Sequence, residues 1–259
     1  MTHDPMAQPV PHKVVIMARG LGTRMRKSAE GVSLTADQAA AAAAGVKAMI
    51  SLGGRPFLDY VISALADAGF DEFCLVIGPE HNVIRDYYDS CEKSRLSIVY
   101  AIQERPLGTA DAVATAEDFA GEDRVLVVNS DNFYPEDAVA RLREVPASGT
   151  LGFTKRAMIA QSNIDPERIH AFALLNSDDS GQLRDIIEKP DPHIVDAVGE
   201  TALVSMNCFL LTPTIFEACR SIEKSERGEY EIVDAVRWMV EHGERFDVVP
   251  VESGVLDMS

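Results

Sequence analysis

The sequence predicts an α/β fold, a mostly parallel central sheet flanked by helices and continued by a mixed-sheet half. Three observations carry that expectation. Unbroken runs of β-branched and apolar residues, Val14-Val15-Ile16-Met17-Ala18 and again over 73 to 77 and 125 to 128, suit strands buried on both faces, as parallel strands are. Segments with apolar residues at helical spacing fall between those runs as far as residue 130, the alternation that builds right-handed βαβ units. Beyond that point strand-like stretches follow one another through turns, and helices return only near the C-terminal end.

In chain order, the first strand ends in a glycine loop, Arg19-Gly20-Leu21-Gly22-Thr23-Arg24-Met25-Arg26. Ligands of parallel sheets bind beyond the carboxyl ends of strands, so this loop sits where a ligand would. Gly20 and Gly22 lack Cβ atoms and let backbone N–H groups approach a polyphosphate, while Arg19, Arg24, Arg26 and Lys47 supply positive charge. A dinucleotide fingerprint would need a third glycine where Met25 stands, and a Walker loop needs a Gly-Lys-Ser/Thr that the chain lacks. Thr35 and Gln38 form a capping-box pattern, alanines 39 to 44 favour a helix and Gly45 suits its end. An inserted helix is therefore expected over about 36 to 44, with a low-complexity linker as the alternative.

A short strand and turn follow from Lys47 to Pro56, with Pro56 suited to the first turn of a helix. Phe57, Tyr60, Val61, Ala64 and Leu65 recur at helical spacing up to Gly69. The pattern then predicts a strand over 73 to 77, a helix over 81 to 89, a strand over 96 to 102, a helix over 109 to 119 and a strand over 124 to 128. In the second half, 150 to 155, 170 to 175 and 183 to 188 read as strands, with 176 to 181 as a hairpin loop. Another strand over 204 to 211 precedes helices near 213 to 222 and 229 to 241. No internal repeat or interdomain linker is visible.

Composition bounds the function. The chain has 259 residues, enough for one large α/β domain, and residues 1 to 12 read as a disordered leader with prolines and no long apolar core. A net charge of −17 argues against nucleic-acid and anionic-membrane partners, which need a basic face. No stretch approaches the roughly 18 apolar residues that would span a bilayer. Cys74, Cys91, Cys208 and Cys219 show no Cys-x-x-Cys spacing and fit a reducing cytoplasm. The six histidines lie apart without metal-ligand spacing, and no Gly-x-Ser-x-Gly or Cys–His signature offers a covalent nucleophile. In Asn129-Ser130-Asp131-Asn132, by contrast, a carboxylate follows an apolar strand and faces the glycine loop, where it is placed to hold Mg²⁺. A plain turn is the alternative.

Taken with Lys47, the stretch from Val14 to Arg26 resembles the signature of the sugar-1-phosphate nucleotidylyltransferases, the nucleoside-diphosphate-sugar pyrophosphorylases. That pattern is a strand, Ala-Ala-Gly-x-Gly-Thr-Arg-Leu/Met, then Pro-Lys and a second apolar run. Here Arg19 replaces a small residue, Val46 replaces the proline, and the interval from Arg24 to Lys47 is longer than the family's. Further segments follow in family order, namely Gln103 to Ala110, Asn129 to Asn132, Glu188-Lys189-Pro190, Ser205 to Cys208, Arg227 to Asp234 and Gly254 to Asp257, so the likeness runs from about 13 to 257.

The resemblance implies one nucleotidyltransferase domain over 13–259, with a Rossmann-like nucleotide-binding half over 13–135 and a mixed-sheet sugar-binding half over 136–259. It implies that Arg24 and Lys47 are catalytic and that Ala18, Gly20, Leu21, Gly22, Thr23, Gln103, Gly108 and Thr109 hold the nucleotide. Glu188, Lys189 and Asn207 would hold the sugar phosphate, and Asp131 with Asp257 would hold Mg²⁺. Glu229 is either a helix cap or a ligand contact. An amide such as that of Gln103 can donate and accept at once, which suits the O4/N3–H edge of uracil or thymine. The expected reaction is therefore nucleotidyl transfer from UTP or dTTP to a sugar 1-phosphate. Two alternatives stay open: a guanylyltransferase acting on mannose or heptose 1-phosphate, and a catalytically inactive nucleotide-sugar-binding regulatory subunit. Oligomeric state is also open, a homo-oligomer among its outcomes.

Overall fold

Val14, Val15 and Ile16 have no solvent-accessible surface, because strand β1 (Lys13–Met17) lies inside the sheet between two parallel neighbours. The computed structural model describes residues 9–20, 47–170, 172–188, 190, 191, 193 and 199–258. After β1 come a 3₁₀ turn at Lys47–Met49, the hairpin of β2 (Ser51–Leu52) and β3 (Arg55–Pro56), and helix α1 (Phe57–Asp67). Then β4 (Glu72–Ile77), α2 (Asn82–Ser90), β5 (Ser97–Ile102), α3 (Thr109–Ala114), α4 (Glu117–Ala120) and β6 (Val125–Asn129) complete the alternating part. The second half contains β7 (Asn132–Phe133), α5 (Glu136–Arg143), β8 (Ser148–Thr154), α6 (Lys155–Gln161), α7 (Pro166–Ile169), β9 (Leu174–Ser177) and β10 (Leu183–Ile187). It ends with β11 (Leu203–Leu211), α8 (Thr214–Ser221), α9 (Ile232–Glu241), β12 (Phe246–Val251) and β13 (Leu256–Asp257).

Among the described residues nine strands form one sheet. β6, β1, β4 and β5 lie side by side and parallel, as the alternation predicts. Side chains alternate across these strands and so feed two cores. Val14, Ile16, Leu75, Leu126 and Val128 pack with α1, α2 and α5, whereas Val15, Met17, Val76, Val125 and Val127 pack with α3, α8 and α9. Layers of helix, sheet and helix result.

The long strand β11 runs antiparallel to β6 through Phe209, Leu210 and Leu211, and antiparallel to β8 on its other side. β12 joins β8 in parallel, and β9 pairs antiparallel with both β10 and β11. The second half is therefore mixed, as expected, yet it is not a separate sheet, because β11 hydrogen-bonds directly to β6.

Some expected elements differ. The single helix over 109 to 119 is two short helices, since Thr115 turns its hydroxyl back to the Ala112 carbonyl (2.7 Å) and Ala116 starts a new cap. A strand was expected to reach 155, but Thr154 ends β8 and accepts from the Ala157 N–H (3.4 Å), which opens α6. The strand expected from 170 starts only at Leu174, behind α7, whose N-cap is Asp165. The helix expected over 36 to 44 lies outside the described residues.

Candidate active site

Between β1 and β6 the order of the parallel strands reverses, since the chain leaves β1 for β4 and β5 on one side and returns to β6 on the other. A cleft of about 490 Å³ opens there, at the carboxyl ends of the strands, in the size range of small-ligand sites. The strands are extended to its rim by Ala18 N–H donating to Val76 (2.9 Å) and Ser130 N–H donating to Met17 (3.3 Å). Gly20, Gln103, Gly108, Thr109 and Asp131 all line the cleft, so five candidates from three segments of the chain meet in one place. Ala18, the residue after β1, is buried and does not line it. Leu21, Gly22, Thr23, Arg24, Arg26 and Lys189 lie outside the described residues.

Asp131 stands in the turn between β6 and β7, and Asp257 is carried to it by the pairing of β13 with β7, where Asp257 faces Asn132. Here the Met258 N–H donates to the Asp131 carbonyl (2.9 Å). The Asn163 amide takes both sides of the Asp257 peptide, with Nδ2 donating to its carbonyl at 2.7 Å and Oδ1 accepting from its N–H at 2.7 Å. Arg168 pairs with the Asp257 carboxylate at 3.4 Å. Burial pushes the Asp131 carboxyl above the ordinary carboxylate range and the charge of Asp257 pushes it further, while Lys47 and, more weakly, Arg168 pull it back. Lys47 thus lies near enough to Asp131 to act on it electrostatically.

Two like charges held together in this way fit a hard cation with oxygen ligands. Among the described residues no group of three or more His, Cys, Asp or Glu side chains is arranged to hold a metal. An ion here would therefore take its remaining oxygens from water and phosphate. Asn163 and Arg168 were invisible in the sequence, because each meets its partner across about ninety residues and sits in a short segment without periodic pattern.

Arg19 corrects the reading of the glycine loop. The residue lines the cleft, and its guanidinium also donates to the carbonyls of Gln103 and Glu104 and pairs with Glu80 (3.4 Å), so part of its charge braces the base of the loop after β5. Thr109 is also committed. Its hydroxyl accepts from the Ile232 N–H at 2.8 Å and so caps α9, a helix 123 residues away. Glu229 lines the cleft and does not cap, since α9 starts at Ile232. Asn207 has φ 53°, the one left-handed non-glycine residue described, in a bulged part of β11 next to the carboxyl end of β6. Glu188, beyond β10, has its carboxyl raised by burial and by the nearby Glu231 and Asp234.

A family model described as Nucleotidyl transferase matches residues 13–253. The chain belongs to that family. Relatives of this nucleotidyl transferase include the UTP–glucose-1-phosphate uridylyltransferase AglF of Haloferax volcanii, 29% identical over 95% of this chain and 90% of that protein. A glucose-1-phosphate thymidylyltransferase of Streptomyces griseus is 29% identical over 89% of this chain and 58% of its own length. Its fold is shared by a UDP-glucose pyrophosphorylase complexed with UDP-glucose, with TM-score 0.69 at 17% identity over 95% of this chain and 90% of that one. Among the described residues no helix is long and apolar enough to cross a membrane.

His81, buried at the start of α2 of this nucleotidyl transferase, gives a prediction. Its Nδ1 accepts from the Gly78 N–H (3.2 Å), which only an unprotonated nitrogen can do, and burial lowers its pKa. The unfolded chain takes up a proton near pH 6.5 that the folded chain refuses, so this group costs stability as pH falls below about 6.5. In urea unfolding at about pH 7.5 and 5.5, wild type should lose more stability than His81→Asn, whose amide oxygen can still accept from Gly78. Equal losses would show that His81 does not titrate on unfolding.

Proposed function

We propose that the protein transfers a nucleotidyl group from UTP or dTTP to a hexose 1-phosphate, with glucose 1-phosphate the first candidate, giving a nucleoside diphosphate sugar and pyrophosphate. The observation that carries the reading is the convergence of Asp131, Asp257 and Lys47 beside the cleft that holds Gln103. The printed activities of the uridylyl- and thymidylyltransferase relatives support the choice of substrates.

A sugar phosphate oxygen attacks the α-phosphorus, the bond to the bridging oxygen breaks, and pyrophosphate leaves with the electron pair. The attacking monoester is already anionic near neutral pH, so positioning and charge neutralisation do the work and no general base is required. Lys47 stabilises charge near the α-phosphate, and Arg24 holds the phosphates that depart. Lys189 neutralises the sugar phosphate, while Glu188 and Asn207 address the sugar hydroxyls. Gln103 reads the base, Gly108 holds the Gln103 amide through its carbonyl, and Gly20 allows close backbone approach. Asp131 and Asp257 would hold Mg²⁺, which when bound would supply positive charge to the phosphates. A cytoplasmic setting belongs to the same reading, supported by four cysteines that all stand as free thiols.

Pyrophosphate release measured with ATP, CTP, GTP, UTP and dTTP against a panel of sugar 1-phosphates tests the proposal. Release with UTP or dTTP and a hexose phosphate is the expected result. Release confined to GTP with mannose or heptose 1-phosphate would replace it with the guanylyl reading. Retained nucleotide binding with no release for any pair would make the protein a regulatory subunit.

A further inference from the structure

Gln103 is fixed at the mouth of the cleft by its own peptide group, whose N–H donates to Ile77 at 2.9 Å and whose carbonyl accepts from Arg19. Its side chain is held as firmly. Nε2 donates to the Gly108 carbonyl at 3.0 Å and to the Asp111 carboxylate at 2.8 Å. The two ends of an amide are alike in shape but opposite in chemistry, for the nitrogen only donates and the oxygen only accepts. Both neighbours here are acceptors, so the nitrogen has to face them, and its two hydrogens are used up in doing so. What is left is Oε1. Among the described residues nothing donates to it, and the one fully buried side-chain polar atom without a partner is Arg19 Nε, so Oε1 is the end that meets the cleft.

We propose that Asp111 is a specificity-determining residue: by holding Nε2 it makes Gln103 an acceptor-only reader of the nucleobase. This rests on the uridylyl or thymidylyl reading above and narrows it, because an amide that donates and accepts toward the base at once is not what the side chain can present. Uracil and thymine offer an N3–H to such an acceptor. Cytosine offers the lone pair of N3 at the same position, which Oε1 repels. Asp111 acts through Gln103 and is a positioning residue. Its bond to Nε2 is to a charged acceptor and is therefore the stronger of the two restraints on the amide. Without it one hydrogen is freed and the amide is able to turn over.

The test compares UTP with CTP in Asp111→Ala and Asp111→Asn, by kcat/KM at a fixed sugar phosphate and by calorimetric Kd without one. Loss of one oriented hydrogen bond should lower kcat/KM for UTP about tenfold in Asp111→Ala while CTP stays level or improves, so the UTP/CTP ratio falls about tenfold. The asparagine variant, which can face Nε2 with oxygen or Oε1 with nitrogen, should show a smaller fall in the same ratio, and it serves alone if the alanine variant does not fold. Equal losses for both nucleotides, or an unchanged ratio in the variants that fold, would mean that Asp111 serves only the fold. If wild type turns over neither UTP nor dTTP, the functional reading fails by itself, and the ratio of the two Kd values still tests Asp111.

Discussion

Asp131→Asn is expected to lower kcat/KM for nucleotidyl transfer by about 10² to 10³-fold, the usual cost of losing one preorganised charge at a reacting centre. In the presence of chelator it should nonetheless melt at the wild-type temperature or above. The two effects have one cause. Burial and the neighbouring Asp257 raise the folded-state pKa of Asp131, so the folded protein binds its proton more readily than the unfolded chain does. Near neutral pH the ionised pair therefore works against folding, and removing one charge relieves it. Lys47→Ala should lose comparable activity with the opposite effect on stability, because Lys47 offsets the charge of Asp131. Steady-state kinetics and thermal melts of the two variants in chelator decide the matter. Intact turnover in Asp131→Asn, or a large fall in its melting temperature, would make Asp131 a structural residue.

The parallel part of the fold was legible because its strands are buried on both faces. Val14 to Ile16, Phe73 to Ile77 and Val125 to Val128 have at most 1% of their surface exposed, and nothing polar interrupts them. Gln103 and Asp131 were legible for a related reason, since each follows the carboxyl end of a parallel strand, where such sheets place ligands, although β5 before Gln103 is a half-exposed edge strand. Residues whose partners are distant were not legible. Asn163 and Arg168 gain their meaning only when β13 returns beside β7, and Thr109 is a cap for a helix that begins 123 positions later. Arg19 marks the limit of reading a charge by type: near a glycine loop it suggested phosphate, yet Glu80 and two carbonyls after β5 engage both of its terminal nitrogens. Glycines are similar, in that a Gly-Thr-Ala turn suggests room for a ligand, while the structure shows that another backbone fills the space.

That backbone is Tyr230, and it makes Gly108→Ala the most damaging single substitution expected for the fold around the cleft. The segment from Leu107 to Ala110 is zipped to Tyr230 through Ile232 by three bonds: Tyr230 N–H to Leu107 (2.8 Å), Ala110 N–H to Tyr230 (2.9 Å) and Ile232 N–H to the Thr109 hydroxyl (2.8 Å). A Cβ on Gly108 would lie 2.4 Å from the Tyr230 carbonyl oxygen and 2.6 Å from its nitrogen, with φ at +119°. Backbone on both sides leaves no flexible side chain to yield, so either the zipper opens or α9 shifts. Loss of about 3 to 5 kcal/mol is expected, the sum of a left-handed non-glycine residue and broken inter-segment bonds. Gly121→Ala is the matched control. It too has positive φ, +59°, but its Cβ would meet nothing within 4 Å, so it should cost only about 1 to 2 kcal/mol. Urea unfolding of both variants separates strain from collision. Because Gly108 also accepts from the Gln103 amide, the collision should weaken UTP binding in Gly108→Ala and leave it intact in Gly121→Ala. Equal stability losses in the two would show that the 230 segment gives way without cost, and that the contact between the halves at this point is soft.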